Sequence, residues 1–303
     1  MEKASYAAID IGSNAARLLI KSVNEDANDE LFTKELLLRV PVRLGEEAFS
    51  NGGKISPRKE EKLVRLIKSF RQLMKIYDVV DYRACATSAM RDAKNSKAIV
   101  KRIYKETGIR IEVISGQEEA RIVYDNHIEN LLRRDKNYIY VDVGGGSTEI
   151  SFISKGELKS SKSYNVGTVR MMKNAVRGED FDALRRDIEA IAKDHPDLMI
   201  IGSGGNINKL FRLAEEKEKH KQAAIFPVES LRKINDELKR YTPAERRKLF
   251  RLKPDRAEVI VPAAEIFLEV ARCGQSKEIW VPMIGLADGI IDSLYAKRLK
   301  AKR

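Results

Sequence analysis

Two hydrophobic rhythms alternate along the chain, and the switches between them lay out its elements. Residues 6–11 and 17–20 are near-continuous apolar runs separated by the turn Gly12-Ser13-Asn14, the mark of two buried strands joined by a hairpin. Residues 31–42 then alternate polar and apolar with a period of two, which predicts a further strand. At Ser56-Pro57 the period lengthens. Leu63, Ile67, Phe70 and Met74 stand at helical spacing behind a serine cap and a proline in the first turn. A short strand over 81–87, a helix over 96–107 stopped by Gly108, and a strand over 109–115 follow. Gly116-Gln117-Glu118-Glu119 opens a helix predicted to run to about residue 132, the expected hinge between two halves.

Beyond it the pattern starts again. Residues 138–143 are an apolar strand, Gly144 to Thr148 a turn, and residues 150–153 a second strand. Residues 198–201 read as a buried strand and 202–208 as a glycine-rich turn into a helix. Residues 215–221 are nearly all charged, an exposed helix end or loop. Strands alternating with helices in both halves predict an α/β architecture of mixed sheets flanked by helices.

The repeated unit carries chemistry. In each copy an apolar strand ends in aspartate (Asp10, Asp142), followed by a turn of glycine and polar residues, then another strand. Glycine lets backbone approach a phosphate closely, and exposed N–H groups and hydroxyls cradle it. An aspartate at the strand end suits a divalent cation, directly or through water. A single Asp-x-Gly turn is ordinary hairpin chemistry; its recurrence in the same order suggests one polyanion gripped by two turns. Neither copy is a dinucleotide or Walker fingerprint, since no G-x-G-x-x-G opens a helix and no G-K-[ST] occurs.

Composition narrows this further. At 303 residues and 43% hydrophobic the chain buries a sizeable core, with length favouring two domains. Its net charge of +12 favours an anionic partner, although a basic solvated surface explains the charge equally well. The two cysteines, Cys85 and Cys273, lie in apolar surroundings and are expected to be reduced core thiols of a cytoplasmic protein. The N-terminus enters the first strand at once, leaving no room for a signal peptide, and Glu265 and Glu269 interrupt the most apolar long stretch, so neither secretion nor a membrane span is expected. His127, His195 and His220 are scattered, which excludes the usual zinc spacings.

Seven blocks together resemble the exopolyphosphatase / guanosine pentaphosphate phosphohydrolase (Ppx/GppA) family of the actin-like, ribonuclease H-like superfamily. They are Ile9 to Asn14 with Arg17, Ala86 to Ala93, Ile114 to Arg121, Val141 to Glu149, Val166 to Arg170, Gly202 to Gly205, and Arg256 to Pro262. The resemblance implies two actin-like domains, 1–117 and 118–289, with the helix of about 290–303 packing back on the first and an active site in the cleft between them. It implies magnesium- or manganese-dependent release of terminal phosphate from inorganic polyphosphate, with guanosine pentaphosphate as a further substrate. Glu119 matches the catalytic glutamate, a general base on water, with its neighbour Glu118 as the structural alternative. Arg91 would be the cation for the terminal phosphate, its alternatives being a salt bridge with Asp92 or a solvated surface charge. Asp10, Asp142 and Glu149 would hold the metal or orient water, and Gly12, Ser13, Asn14, Gly144, Gly145, Gly146, Ser147 and Thr148 would cradle phosphate. A homodimer is implied, with neither nucleic acid nor membrane as partner.

Three departures qualify the match. Asn206 stands where relatives often carry threonine, and Ala287 where they typically carry arginine. The resemblance also implies a short form, expected to lack the C-terminal HD-type domain of longer members, for which processive action on long polymers is less expected. The readings left open are thus a phosphohydrolase of polyphosphate or of guanosine pentaphosphate, a catalytically weak sensor of either, and an actin-like ATPase or sugar kinase. The Gly116-Gln117-Glu118-Glu119 block speaks against the last.

Overall fold

The computed structural model describes residues 4–24, 31–50, 52–124, 133, 135–218, 224–282 and 285–301. The chain divides into two compact units, Met1–His127 with Leu286–Arg303, and Ile128–Gly285. In the first, β1 (Ser5–Ile11), β2 (Ala15–Val23), β3 (Phe32–Pro41), β4 (Val79–Ala86) and β5 (Ile111–Val113) form one sheet in the order β3-β2-β1-β4-β5. β1 runs antiparallel to β2 and parallel to β4. Every residue of β1 is buried, as a strand covered on both faces requires, which is why its sequence is apolar rather than alternating.

In the second unit β6 (Asn137–Val143), β7 (Thr148–Ser154), β8 (Glu157–Tyr164), β9 (Met199–Ser203), β10 (Ile225–Pro227) and β11 (Glu278–Trp280) are ordered β10-β11-β9-β6-β7-β8. β6 is antiparallel to β7 and parallel to β9. Strand for strand, β8-β7-β6-β9-β11 repeats β3-β2-β1-β4-β5 in order and sense. This is the mixed-sheet α/β architecture expected from the pattern, present twice.

The helices follow their local signals. α1 is Gly45–Ala48, and α2 (Pro57–Ile76) starts where the Lys59 N–H donates to the Ser56 hydroxyl, burying Leu63, Ile67, Phe70 and Met74. α3 is Ser88–Asp92; α4 (Ser96–Thr107) ends at Gly108, whose φ of +69° favours glycine. β5 is shorter than the predicted 109–115. Its pairing with β4 ends at Val113, after which the Ile114 N–H donates to the Ala86 carbonyl and the chain turns into α5 (Gly116–Tyr124). The predicted continuation of α5 towards 132 lies outside the described residues, as do His127 and His220. His195 packs its ring on Phe152, with centroids 4.9 Å apart.

The helix Leu286–Ala301 packs against β1 and α5. Asp288 pairs with Lys21 at 2.6 Å, and Arg298 donates to the Tyr6 hydroxyl at 2.9 Å. A side chain on Gly289 would overlap the carbonyl of Ile122, so glycine lets this helix seat directly on α5. Among the described residues no helix is long and apolar enough to cross a membrane. Glu265 and Glu269 of the apolar helix Pro254–Cys273 are salt-bridged, to Lys239 and to Arg185 and Arg272 respectively. Burial pushes the thiols of Cys85 and Cys273 up to about 12, so both are inert core groups at neutral pH.

Candidate active site

The first turn closes when the Gly12 N–H donates to the Ala15 carbonyl at 3.1 Å. Its carbonyls are taken up from outside: Gly45 donates to Ser13, and Arg43 to Asn14, both at 2.9 Å. The Ser13 N–H has no acceptor among the described residues, and its hydroxyl lies 2.9 Å from that of Ser88 at the start of α3. Asp10 is buried at the end of β1, where register pairs it with Arg17; the Arg17 guanidinium donates to its Oδ2 at 2.7 Å. That partner was the residue to which sequence reasoning gave no role.

α3 delivers Arg91. The Thr87 N–H donates to the Ile11 carbonyl, tying this segment to the end of β1, and α3 turns Arg91 towards α5. Arg91 Nη1 donates to the Ile114 carbonyl at 2.8 Å and to Glu119 Oε2 at 3.0 Å. Glu119 is buried. Its neighbour Glu118 points elsewhere, to Arg83, which also holds Glu112. Tertiary contact therefore separates two glutamates that local pattern leaves equivalent: one caps a surface ion-pair network, the other sits beside the cation of α3.

The second turn has the same backbone. The Gly144 N–H donates to the Ser147 carbonyl at 2.9 Å, the counterpart of the Gly12 bond. The short helix Thr168–Met172 draws the turn's carbonyls to itself: Thr168 donates to Gly144, Val169 and Arg170 donate to Gly145, and the Arg170 Nε donates to Gly146 at 2.8 Å. With their carbonyls committed to that side, the N–H groups of Gly145 and Gly146 have no acceptor among the described residues. A side chain at Gly167 would fall 2.5 Å from the nitrogens of Gly146 and Ser147, so only glycine permits this backbone-on-backbone seat. Gly167 and Arg170 are positioning residues; they lie in the Val166 to Arg170 block, which on sequence alone carries no assigned role. The detectable signal was a lone arginine in an otherwise small and apolar run, here buried against carbonyls.

Register places Glu149 opposite Asp142, where the first copy has Arg17 opposite Asp10. Glu149 is buried and accepts hydrogen bonds at its Oε1 from the hydroxyls of Ser147 at 2.6 Å and Ser163 at 2.8 Å. Asp142 Oδ1 stands 2.9 Å from where a Cβ on Gly204 would lie, and Gly204 has φ +101°; the absent side chain leaves room for the carboxylate. The Thr148 hydroxyl, expected to face phosphate, instead donates to the Val166 carbonyl at 2.6 Å. Thr148, the first residue of β7, is fully buried, and this bond staples the turn to the Val166 segment. Asp10, Gly12, Ser13, Asn14, Arg91 and Glu119 thus belong to the first unit, and Asp142, Gly144 to Thr148 and Glu149 to the second. Among the described residues no three His, Cys, Asp or Glu side chains converge as a metal cage.

The family model described as Ppx/GppA phosphatase matches residues 26–298. The chain is 28% identical over 285 residues to the bifunctional 3-dehydroquinate synthase/phosphatase of Fusobacterium nucleatum, covering 87% of this chain and 42% of that protein. It is 28% identical over 288 residues to exopolyphosphatase 2 of Mycobacterium tuberculosis, covering 88% and 89%. Among solved structures, an exopolyphosphatase from Cytophaga hutchinsonii matches with a TM-score of 0.84 at 22% identity over 97% of this chain and 98% of that one. The Ppx/GppA family member of Aquifex aeolicus matches with a TM-score of 0.75 at 25% identity over the whole of both chains.

Proposed function

We propose, for a chain that belongs to the Ppx/GppA phosphatase family, release of terminal orthophosphate from inorganic polyphosphate by attack of water. The observation that carries this reading is the buried Glu119 carboxylate held by Arg91. A transferring phosphoryl group builds charge on its oxygens, and a guanidinium is shaped to meet it. When the terminal phosphate engages Arg91, Glu119 loses its cationic partner in a buried setting and becomes a stronger base for the proton of the attacking water. The N–H groups of Ser13, Gly145 and Gly146 hold phosphate oxygens, each turn fixed by the segment that binds its carbonyls.

Magnesium or manganese fits the acids of the second unit. Mg²⁺ is ordinarily held by one or two carboxylates together with substrate phosphates and water, and Asp142 with Glu149 supplies that number on neighbouring strands. Bound there, the ion supplies positive charge against the phosphate oxygens. Asp10 fits the role less well, because Arg17 already neutralises it.

The test is phosphate release, with magnesium, from long-chain polyphosphate, tripolyphosphate, guanosine pentaphosphate and ATP. Polyphosphate turnover is expected, with Glu119→Gln lowering kcat by about 10²–10⁴ while polyphosphate still binds. Full activity in Glu119→Gln would remove the general-base assignment. Turnover of guanosine pentaphosphate alone would make the protein an alarmone phosphatase, and binding without turnover would leave it a sensor.

A further inference from the structure

α4 has two electrostatic faces, and only one of them is compensated. On one face Arg102 gathers Glu106 at 2.7 Å, Glu60 at 3.1 Å and Glu61. On the other a cavity of about 760 Å³ opens between α4 and the edge strand β5. Its wall carries Lys94, Lys97, Lys101 and Arg110, with Arg91 also in the lining, and includes no aspartate or glutamate. Lys94, Lys97, Lys101 and Arg110 have no carboxylate partner among the described residues. Lys97 and Lys101 are four apart, so they share one face of the helix. Four unpaired cations in one concave wall repel one another, and a polyanion relieves that repulsion.

We propose that this cavity holds the trailing phosphates of an inorganic polyphosphate whose terminal phosphate lies at Arg91, and that Lys97 and Lys101 set the preference for chain length. The inference rests on the polyphosphatase reading above and adds a subsite to it. Two features favour a phosphate polymer. The cations are continuous with Arg91 through the same lining. Three of them are lysines, compact charges on flexible stems that follow a chain without demanding one bidentate geometry. Their methylenes have Val100, Ile111 and Val113 in the same wall to lie on.

The test compares long-chain polyphosphate with tripolyphosphate, in turnover and in direct binding of labelled chains, for the wild type, Lys97→Ala/Lys101→Ala and Lys97→Arg/Lys101→Arg. The alanine pair is expected to raise KM for long chains about tenfold, several times more than for tripolyphosphate, and to flatten the salt dependence by about 0.7 per lost phosphate contact, as for single-stranded nucleic acid. The arginine pair is expected to restore it. Equal KM changes for both substrates, or none, would overturn the subsite while leaving the activity intact. Tight, lysine-dependent binding of long chains without turnover would keep the subsite and overturn the activity. A larger loss from Tyr104→Ala than from the lysine pair would assign the cavity to an aromatic ligand and overturn the polyphosphate proposal.

Discussion

The two glycine turns share a backbone and differ in charge. In each a glycine N–H closes the hairpin, Gly12 onto Ala15 and Gly144 onto Ser147, and a following segment takes the turn's carbonyls. Across the ladder from the strand-end aspartate, however, the first copy has Arg17 and the second Glu149. The first acid is therefore neutralised within the protein, by an ion pair of 2.7 Å. The second faces another acid in register, an arrangement that disfavours folding unless hydrogen bonds or a cation offset it. Ser147 and Ser163 supply the hydrogen bonds to Glu149. The two copies keep one backbone shape; the first acid has its cation within its own hairpin, and the paired acids of the second are the ones to which the proposed function gives the metal.

The largest effect should come from the seats of the turns. Gly167→Ala forces a Cβ into the backbone of Gly146 and Ser147, whereas at Gly45, the equivalent support of the first turn, the added carbon meets the ring of Phe49. Overpacking against backbone should cost about 3 kcal/mol and remove activity; against a ring that can shift, nearer 1 kcal/mol. Denaturant melts of the two variants check this, and equal losses would mean the seats are equivalent. Next, Glu149→Gln keeps an acceptor for both serines but loses the charge. It should lower kcat/KM about 100-fold, roughly 2.7 kcal/mol, with a raised magnesium requirement and little change in stability. Arg17→Ala should do the reverse: about 2 kcal/mol of stability lost, because the Asp10 carboxylate is left buried and unpaired, with a smaller effect on the magnesium dependence. If the two variants behaved alike, the functional contrast between the copies would be gone.

Much of this was legible in the chain because the signals are local. The apolar runs of β1 and β6, the serine cap of α2, the Gly108 stop and both glycine turns depend on neighbours within a few residues. What sequence could not decide was pairing at long range. Glu118 and Glu119 are chemically identical, and Arg83 and Arg91, brought in from β4 and α3, give them different settings. Arg17 reads equally as a ligand or a strand-face charge until register sets it beside Asp10. Arg170 is invisible as a support until three glycine carbonyls converge on the short helix that contains it. β8 escapes notice because its residues, Glu157 to Tyr164, are largely polar: it is the sheet's edge and mostly exposed.

That edge provides the smallest test, and it again separates the units, since β8 is the counterpart of β3. At the end of β8 the Tyr164 hydroxyl donates to Asp187 at 2.6 Å, and Lys162 donates to the same oxygen at 2.8 Å. Burial, reinforced by the hydrogen bond to Asp187, raises the Tyr164 phenol above its ordinary range. Burial alone would raise Asp187 too, but Lys162 and Tyr164 outweigh it and hold the carboxyl below its usual range. The two shifts act at opposite ends of the pH scale. A raised phenol favours the folded state below about pH 10 and loses that contribution as pH climbs past it; a depressed carboxyl contributes above about pH 4 and loses its share as pH falls. Tyr164→Phe removes the alkaline term entirely and weakens the acid one, since Lys162 still pairs with Asp187. The variant should therefore melt below the wild type at pH 7 by less than about 1 kcal/mol, because Lys162 and Asp187 are open to solvent. The gap should narrow between pH 10 and 11, as the wild type gives up a contribution the variant never had. A gap that widened there would show that the phenol is stabilised as its anion, and would reverse the assignment of donor and acceptor at this edge.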